Sequence, residues 1–369
     1  MSKVQFPEFG FYALPGHALA PKDIFHEIAT ADEIGLGSTW IAERPNTKDI
    51  GVMSGIAAAT TRNMGIASGL ITNLPLRHPL MVAGYASTMA TVTDNRFTLG
   101  IGRGVDPLAD ATGTQRLTFK LLEDYIGILR QLWSGATVSY EGPLGKMPKV
   151  ALGMKLDVPP PIMMGLLGKK TAYWAGRVCD GMLLNSLWTA KAVREFAEVA
   201  RQGAKDAGKD PAKFRVWTIL MTACQVPEDV MLQWIVRRTN TYALFPPAFD
   251  AICDANGWDK DVAVKVRKLL KELDGAPKPS AIGDEHTTRE VDHLRRIKDL
   301  YPEEWIRDGC AVGSVAECLP SIQERFDAGA DGILFHGTTP DALRPLLDAW
   351  RKVRPVSFDK KPVNPGAAG

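Results

Sequence analysis

The residues whose types and spacing could do chemistry gather just beyond short apolar runs. Glu43-Arg44, with Asn46 behind it, puts a carboxylate beside a guanidinium after the run Ser38–Ala42. The pair reads equally as an internal ion pair that pins a loop and as a contact to substrate or cofactor. Leu70 to Asn73 end the run Gly65–Ile71 in a polar Thr72-Asn73, and Arg77-His78-Pro79 follows. For that triplet the favoured reading is a helix start, with His78 near the N-cap, Arg77 paired to a carboxylate and Pro79 in the first turn. Gly168-Lys169-Lys170-Thr171 opens a helix with a glycine and two cations. Lysines there oppose the helix dipole unless an anion is present, so phosphate binding is favoured. Gly102 and Arg103 end another run, in which glycines 100, 102 and 104 leave room either for the fold or for a ligand. Asn185, Gln225, His336 and Gly337 complete the set, with His336 standing equally as a packed core histidine and as a ligand contact.

Other chemistries find no residues to carry them. Glycines 100, 102 and 104 are spaced GxGxG, and Pro107 stands where a dinucleotide fingerprint needs its third glycine. No Ser-His-Asp order, nucleophile elbow or P-loop is present. Ser314-Val-Ala-Glu317 is a capping box, which explains that sequence without a ligand. The six histidines show no metal-ligand spacing within one helix, and the five cysteines form no CxxC. Odd, unpaired cysteines point to a reducing, cytoplasmic setting. A net charge of +2 with no basic, aromatic-interleaved run argues against nucleic acid. No apolar run reaches the ~18 residues of a membrane span. Ala18-Leu19-Ala20 mimics a signal-peptidase site, but the short apolar run before it reads as a first strand.

These groups must be positioned by alternating strands and helices. Eight strands are expected at Phe9–Leu14, Ser38–Ala42, Gly65–Ile71, Arg96–Ile101, Pro161–Leu166, Met182–Ser186, Phe214–Gln225 and Gly332–Phe335. Between them lie helical segments, clearest at Thr114–Trp133, where Leu117, Leu121, Tyr125, Ile128 and Leu132 share a face. Residues 135–160, rich in Gly and Pro, read as an excursion that could form a hairpin, and 227–309 as a helical insertion after strand seven. The insertion carries Trp234, Trp258 and Trp305 and a breaker cluster at Gly275–Gly283. Met163, Met164 and Met182 are expected in the core. The pattern gives a (β/α)8 TIM barrel as one domain over residues 1–357, with a flexible tail from 358 to 369. Its polar residues lie at the carboxyl ends of the strands, where barrel enzymes bind ligands. A phosphate-bearing small molecule is the ligand this reading reaches; the reaction is not.

Several stretches together resemble the luciferase-like monooxygenase superfamily, in its coenzyme F420 (deazaflavin)-dependent oxidoreductase branch. They are ADEIGLGSTWIAER (31–44), GLITNLPLRHPL (69–80), NRFTLGIGRG (95–104), PPIMMGLLGKKTAYWAGRVCDG (160–181) and VGSVAECLPSIQERFDAGADGILFHG (312–337). The resemblance implies a bacterial luciferase-like barrel binding F420, with FMN as the alternative. It implies a non-proline cis peptide or bulge within Gly69-Leu70-Ile71 behind the ring. Cofactor contacts would come from Arg44, Gly69, Leu70, Ile71, Thr72, Asn73, Gly102 and Arg103. The phosphate would lie near Gly165, Leu166, Leu167, Gly168, Lys169, Lys170 and Thr171. Many members carry A-E-H after strand two; this chain has Ala42-Glu43-Arg44. Glu43 is therefore the first candidate for proton transfer, with His78 and His336 behind it, and Arg44 or Arg103 could neutralise an anionic ring or substrate. The resemblance further implies hydride transfer to or from a small organic substrate, a pocket roofed by the insertion, and a homodimer. An FMN-dependent monooxygenase and a non-catalytic flavin-binding relative are the competing expectations.

Overall fold

Short apolar runs joined by helices bury both faces of each strand only in a parallel sheet covered by helices. The computed structural model describes residues 4–14, 20–44, 47–72, 74–104, 106–274 and 290–368. Its strands are β1 (Phe6–Ala13), β2 (Leu36–Ile41), β3 (Gly65–Ser68), β4 (Phe97–Gly102), β5 (Val138–Gly142), β6 (Gly145–Val150), β7 (Ile162–Leu166), β8 (Gly181–Leu184), β9 (Arg215–Cys224), β10 (Cys310–Gly313) and β11 (Gly332–His336). The parallel order β11-β1-β2-β3-β4-β7-β8 closes through β9, which pairs with β8 on one side and β11 on the other. That closure is the (β/α)8 TIM barrel. β5 and β6 form an antiparallel hairpin inside the 135–160 excursion. β10, which the sequence reading did not separate, extends the sheet beside the upper half of β9, from Cys310↔Met221 to Gly313↔Cys224.

Inside the barrel, Trp40 and Trp217 meet at 5.2 Å and 47°. Tyr12, Ala67, Met163, Leu183, Ile219 and Leu334 fill the space around them. The interior is therefore solid, and ligands are confined to the rims. Met163, Met164 and Met182 are fully buried, as expected. The barrel helices start on side chains that accept from their first-turn amides: Asp49 from Val52, Thr118 from Leu121, Thr189 from Ala192, Ser314 from Glu317 and Thr339 from Ala342. Thr118 shortens the helix expected from Thr114, which runs instead over Phe119–Trp133. A separate turn of helix at Asp106–Thr112 precedes it and stops before Gly113, whose φ is +65°.

The insertion is helical throughout its described part, with helices at Glu228–Met231, Arg237–Ala243, Pro246–Asn256, Lys260–Asp274, Val291–Lys298 and Glu303–Gly309, and a π turn at Leu232–Val236. Trp258 and Trp305 stack at 5.1 Å and 14°, with Phe249 edge-on to Trp305. The insertion thus has a small core of its own. The breaker cluster Gly275–Gly283 and the Ala18-Leu19 part of the signal-like site lie outside the described residues.

The C-terminal segment is not a loose tail. Val356–Lys360 form a 3-10 turn, and Phe358 packs at 4.9 Å on Phe326. Trp217 Nε1 donates to the Pro365 carbonyl at 2.9 Å. Asn364 Nδ2 donates to the carbonyls of Asn95 (2.7 Å) and Phe97 (3.1 Å). The Gly366 amide donates to Thr98 Oγ1 at 2.9 Å. These partners lie at the amino ends of the strands or on the interior tryptophan, so the segment plugs the lower rim. Small residues on both sides are what lets the chain pass there: a Cβ on Gly366 would come 2.7 Å from Pro161 Cβ, and one on Gly65 of β3 would come 2.0 Å from the Val363 carbonyl.

Candidate active site

The upper rim is organised by the loop that leaves β3. Gly69–Leu70 is a cis peptide without proline, at the place the resemblance implied. The loop's backbone is bonded on all sides. Gly69 N donates to Ile41 O (2.7 Å), Ile71 N to Gly100 O (2.9 Å), Gly102 N to Ile71 O (2.8 Å) and Glu43 N to Leu70 O (3.2 Å). Ser68 Oγ joins the same lattice, accepting from Gly100 N at 2.8 Å. The Leu70 side chain lies across β4 and β7. A Cβ on Gly165 would stand 1.9 Å from Leu70 Cδ1, and one on Gly100 would stand 2.1 Å from Ser68 O. Gly100 and Gly165 are therefore glycines because this loop passes over them; Gly102 stands in ordinary contact with Leu70 and Thr72.

Glu43 is the brace of that loop. It is 5% exposed. Its Oε2 accepts from the Thr72 amide at 2.8 Å and lies 3.4 Å from Thr72 Oγ1, while Oε1 accepts from Arg77 Nε at 2.7 Å. Arg77 is fixed in turn, because its carbonyl accepts from Tyr125 at 2.8 Å. The Glu43–Arg44 ion pair is thus corrected: the carboxylate's cation is Arg77, and Arg44 Nη1 donates to the Glu43 backbone carbonyl at 2.9 Å. The reason is local geometry, since side chains of neighbouring residues on extended chain point to opposite faces. Arg77 pairs with a carboxylate as the helix-start reading required.

His78 is also a structural residue. It is exposed at the N-cap of the helix Pro79–Val92, and its Nδ1 accepts from the Leu80 amide at 3.2 Å. His336 is buried at the end of β11, edge-on to Tyr12 with ring centroids 5.2 Å apart. Asn46 and Asn73 lie outside the described residues.

A second region lies where β7 ends. Leu166 is buried, Leu167 is partly buried, and Gly168 caps the helix Lys169–Val178 without a side-chain hydrogen bond. A Cβ on Gly168 would meet nothing within 4 Å, so the space in front of that helix end is open. The first-turn amides of residues 169–171 have no acceptor within the helix. Lys169 Nζ donates to Glu195 Oε2 at 2.6 Å, which holds that carboxyl below the usual carboxylate range. Lys170 is exposed, and Thr171 is buried in the first turn. Arg103 flanks this region. Its guanidinium lies 5.4 Å from the Phe119 ring centroid, and Phe119 stacks at 5.3 Å on Trp174 of the helix Lys169–Val178.

The insertion supplies the third wall. Tyr242 donates to Asn185 Oδ1 at 2.8 Å, and Arg238 Nη2 donates to the Tyr242 hydroxyl at 2.8 Å. The π turn reaches β11, since a Cβ on Gly337 would lie 3.1 Å from Trp234 O. Tyr12, at the end of β1, sits under these groups. Burial pushes its hydroxyl well above the ordinary phenol range, opposed by the charges of Arg44 and Arg238. Tyr12, Tyr242 and Arg238 were missed from the sequence. For Tyr12 the signal existed: it lies near the end of the first expected strand, and strand ends mark the rim.

A closed parallel barrel with a braced loop, an open helix end and a helical roof at one rim is a TIM-barrel enzyme scaffold. The chain belongs to the luciferase-like monooxygenase family, an oxidoreductase class, whose sequence profile matches residues 8–332. It is 22% identical to an F420-dependent glucose-6-phosphate dehydrogenase of Amycolatopsis mediterranei, over 93% of this chain and 97% of that one. It is 29% identical to a 5,10-methylenetetrahydromethanopterin reductase of Archaeoglobus fulgidus, over 67% of this chain and 74% of that one. The solved structure of the coenzyme F420-dependent tetrahydromethanopterin reductase of Methanopyrus kandleri shares the fold, with a TM-score of 0.72 at 20% identity, covering 90% of this chain and 93% of that one. Among the described residues, no helix is long and apolar enough to cross a membrane.

Proposed function

We propose that the protein is a coenzyme F420-dependent oxidoreductase acting on a small organic substrate, and that it works as a homodimer. The relatives named above carry the cofactor's identity. The observation that carries its seat is the pairing of two rim features. One is the braced Leu70 loop, an apolar wall suited to the back of a flat ring. The other is the open, side-chain-free helix end at Gly168, suited to a phosphate on the ring's tail. The residues present fit such a group on both counts. When bound, a deazaflavin supplies two-electron chemistry as a hydride.

The chain's own residues then divide the work. Glu43 fixes the loop through Thr72 and Arg77, as a positioning residue and not as a proton carrier. The amides of residues 169–171, with Lys170 nearby, meet the phosphate, and Arg103 adds positive charge on the same side. Arg44, Arg238 and Tyr242 line the substrate side beneath the insertion. The homodimer rests on the helices Ile50–Thr60 and Pro79–Val92. Neither carries a charged residue, yet Val52 and Met81 are 58% and 67% exposed, with Leu76 beside them at 49%. Helices apolar all round are normally buried, and a second copy would bury these.

The test is an anaerobic assay of the purified protein with reduced and with oxidised F420 against alcohols, ketones and sugar phosphates. A substrate-dependent change in the deazaflavin absorbance supports the proposal. Oxygen uptake with FMN and no reaction with F420 would replace it by the monooxygenase reading.

A further inference from the structure

Tyr12 stands near the carboxyl end of β1, at the top of the interior cluster around Trp40. A Cβ on Gly69 would lie 3.2 Å from its Cε1, and its ring meets His336 edge-on. The residue is 8% exposed, yet among the described residues its hydroxyl makes no hydrogen bond. A buried phenol normally finds a partner, and one left open at a pocket wall is a donor kept for a ligand. Its neighbours at the rim are already engaged: Glu43 with Thr72 and Arg77, Tyr242 with Asn185 and Arg238, His78 with its helix. Burial keeps the hydroxyl protonated at neutral pH, while Arg44 and Arg238 stand ready to stabilise the anion it would leave.

We propose that Tyr12 is a catalytic residue that gives its hydroxyl proton to an oxygen on the reacting carbon, so that the substrate is a ketone or aldehyde, or the matching alcohol in the reverse direction. The inference rests on the cofactor reading above. In the reducing direction the carbonyl π bond breaks. The carbon gains a hydride and its two electrons from the reduced deazaflavin, which ends oxidised after also losing a ring-nitrogen proton to solvent. The oxygen gains the Tyr12 proton, and the tyrosinate regains one from water.

The test uses protein labelled with 13C at the tyrosine Cζ, without and with F420, titrated with cyclohexanone and with methylenecyclohexane. The second probe has the same shape and no oxygen. Tyr12→Phe keeps the ring packing and assigns the Tyr12 signal. Cyclohexanone is expected to move that signal in both forms, and the hydrocarbon is not. Tyr12→Phe should weaken cyclohexanone binding about tenfold, the effect of one lost hydrogen bond. It should change F420 affinity by no more than about twofold, since the hydroxyl faces the substrate. A Tyr12 signal that ignores the ketone, equal ketone affinity in the two proteins, or a large loss of F420 binding in Tyr12→Phe would overturn the proposal. Failure of F420 to bind either protein, with the ketone effect intact, would sink the cofactor reading and support the role of Tyr12.

Discussion

At Glu43 a buried carboxylate meets two demands, an unpaired amide at Thr72 and a guanidinium at Arg77. Removing it strands the Thr72 amide and leaves Arg77 only its longer pairing to Asp49, at 3.8 Å. Breaking a buried charged pair from one side costs about 3–5 kcal/mol, reduced here because Arg77 is partly solvated. Glu43→Ala should therefore lower stability by about 2–3 kcal/mol in denaturant unfolding and weaken F420 binding at least about tenfold through the loosened loop. Glu43→Gln, which still accepts from Thr72, should lose about 1 kcal/mol and keep most turnover. If Glu43 were instead the proton carrier, Glu43→Gln would abolish turnover with binding intact.

The helix Lys169–Val178 and the pair Ile50–Thr60 and Pro79–Val92 carry the next predictions. Lys169 is tied to Glu195, so the proposed phosphate contacts fall to the backbone amides and Lys170. Lys170→Glu should weaken F420 binding about three- to tenfold at low salt, and the difference should shrink as salt is raised. Lys169→Ala should change binding less. A larger effect at Lys169, measured by the same titration, would put the phosphate elsewhere. For the two uncharged helices, Val52→Glu with Met81→Glu should convert a dimer to a monomer in light scattering, without changing circular dichroism. An unchanged dimer would place the interface on another face.

At the scale of the molecule, the barrel is stoppered below and roofed above. Deleting residues 358–369 would remove the partners of Trp217, Asn95, Phe97 and Thr98 and open the lower rim. We expect the melting temperature to fall by about 5 °C or more, with calorimetry as the check; an unchanged value would mean the plug is incidental. That plug was illegible in the sequence because NPGAAG has no period and no large apolar residue. Its fit depends on small size at a site that other strands create. The barrel was legible because each strand is buried on both faces and reads as a continuous apolar run. The site was half legible. Strand ends marked Glu43, Leu70 to Thr72 and Gly165 to Lys170, but a run of residues cannot say that Glu43 turns to Arg77, 34 positions on, and away from Arg44. Nor could it reveal that Arg238 and Tyr242, inside a motif-poor insertion, fold back over β1 and β8.

The central claim is that this rim seats a deazaflavin. Its most direct test is equilibrium titration of the purified protein with F420 and separately with FMN, followed by fluorescence, with Glu43→Ala in parallel. Tight, saturable F420 binding, weak FMN binding and a clear loss in Glu43→Ala are the predicted result. Preference for FMN, or F420 binding that Glu43→Ala leaves untouched, would contradict it.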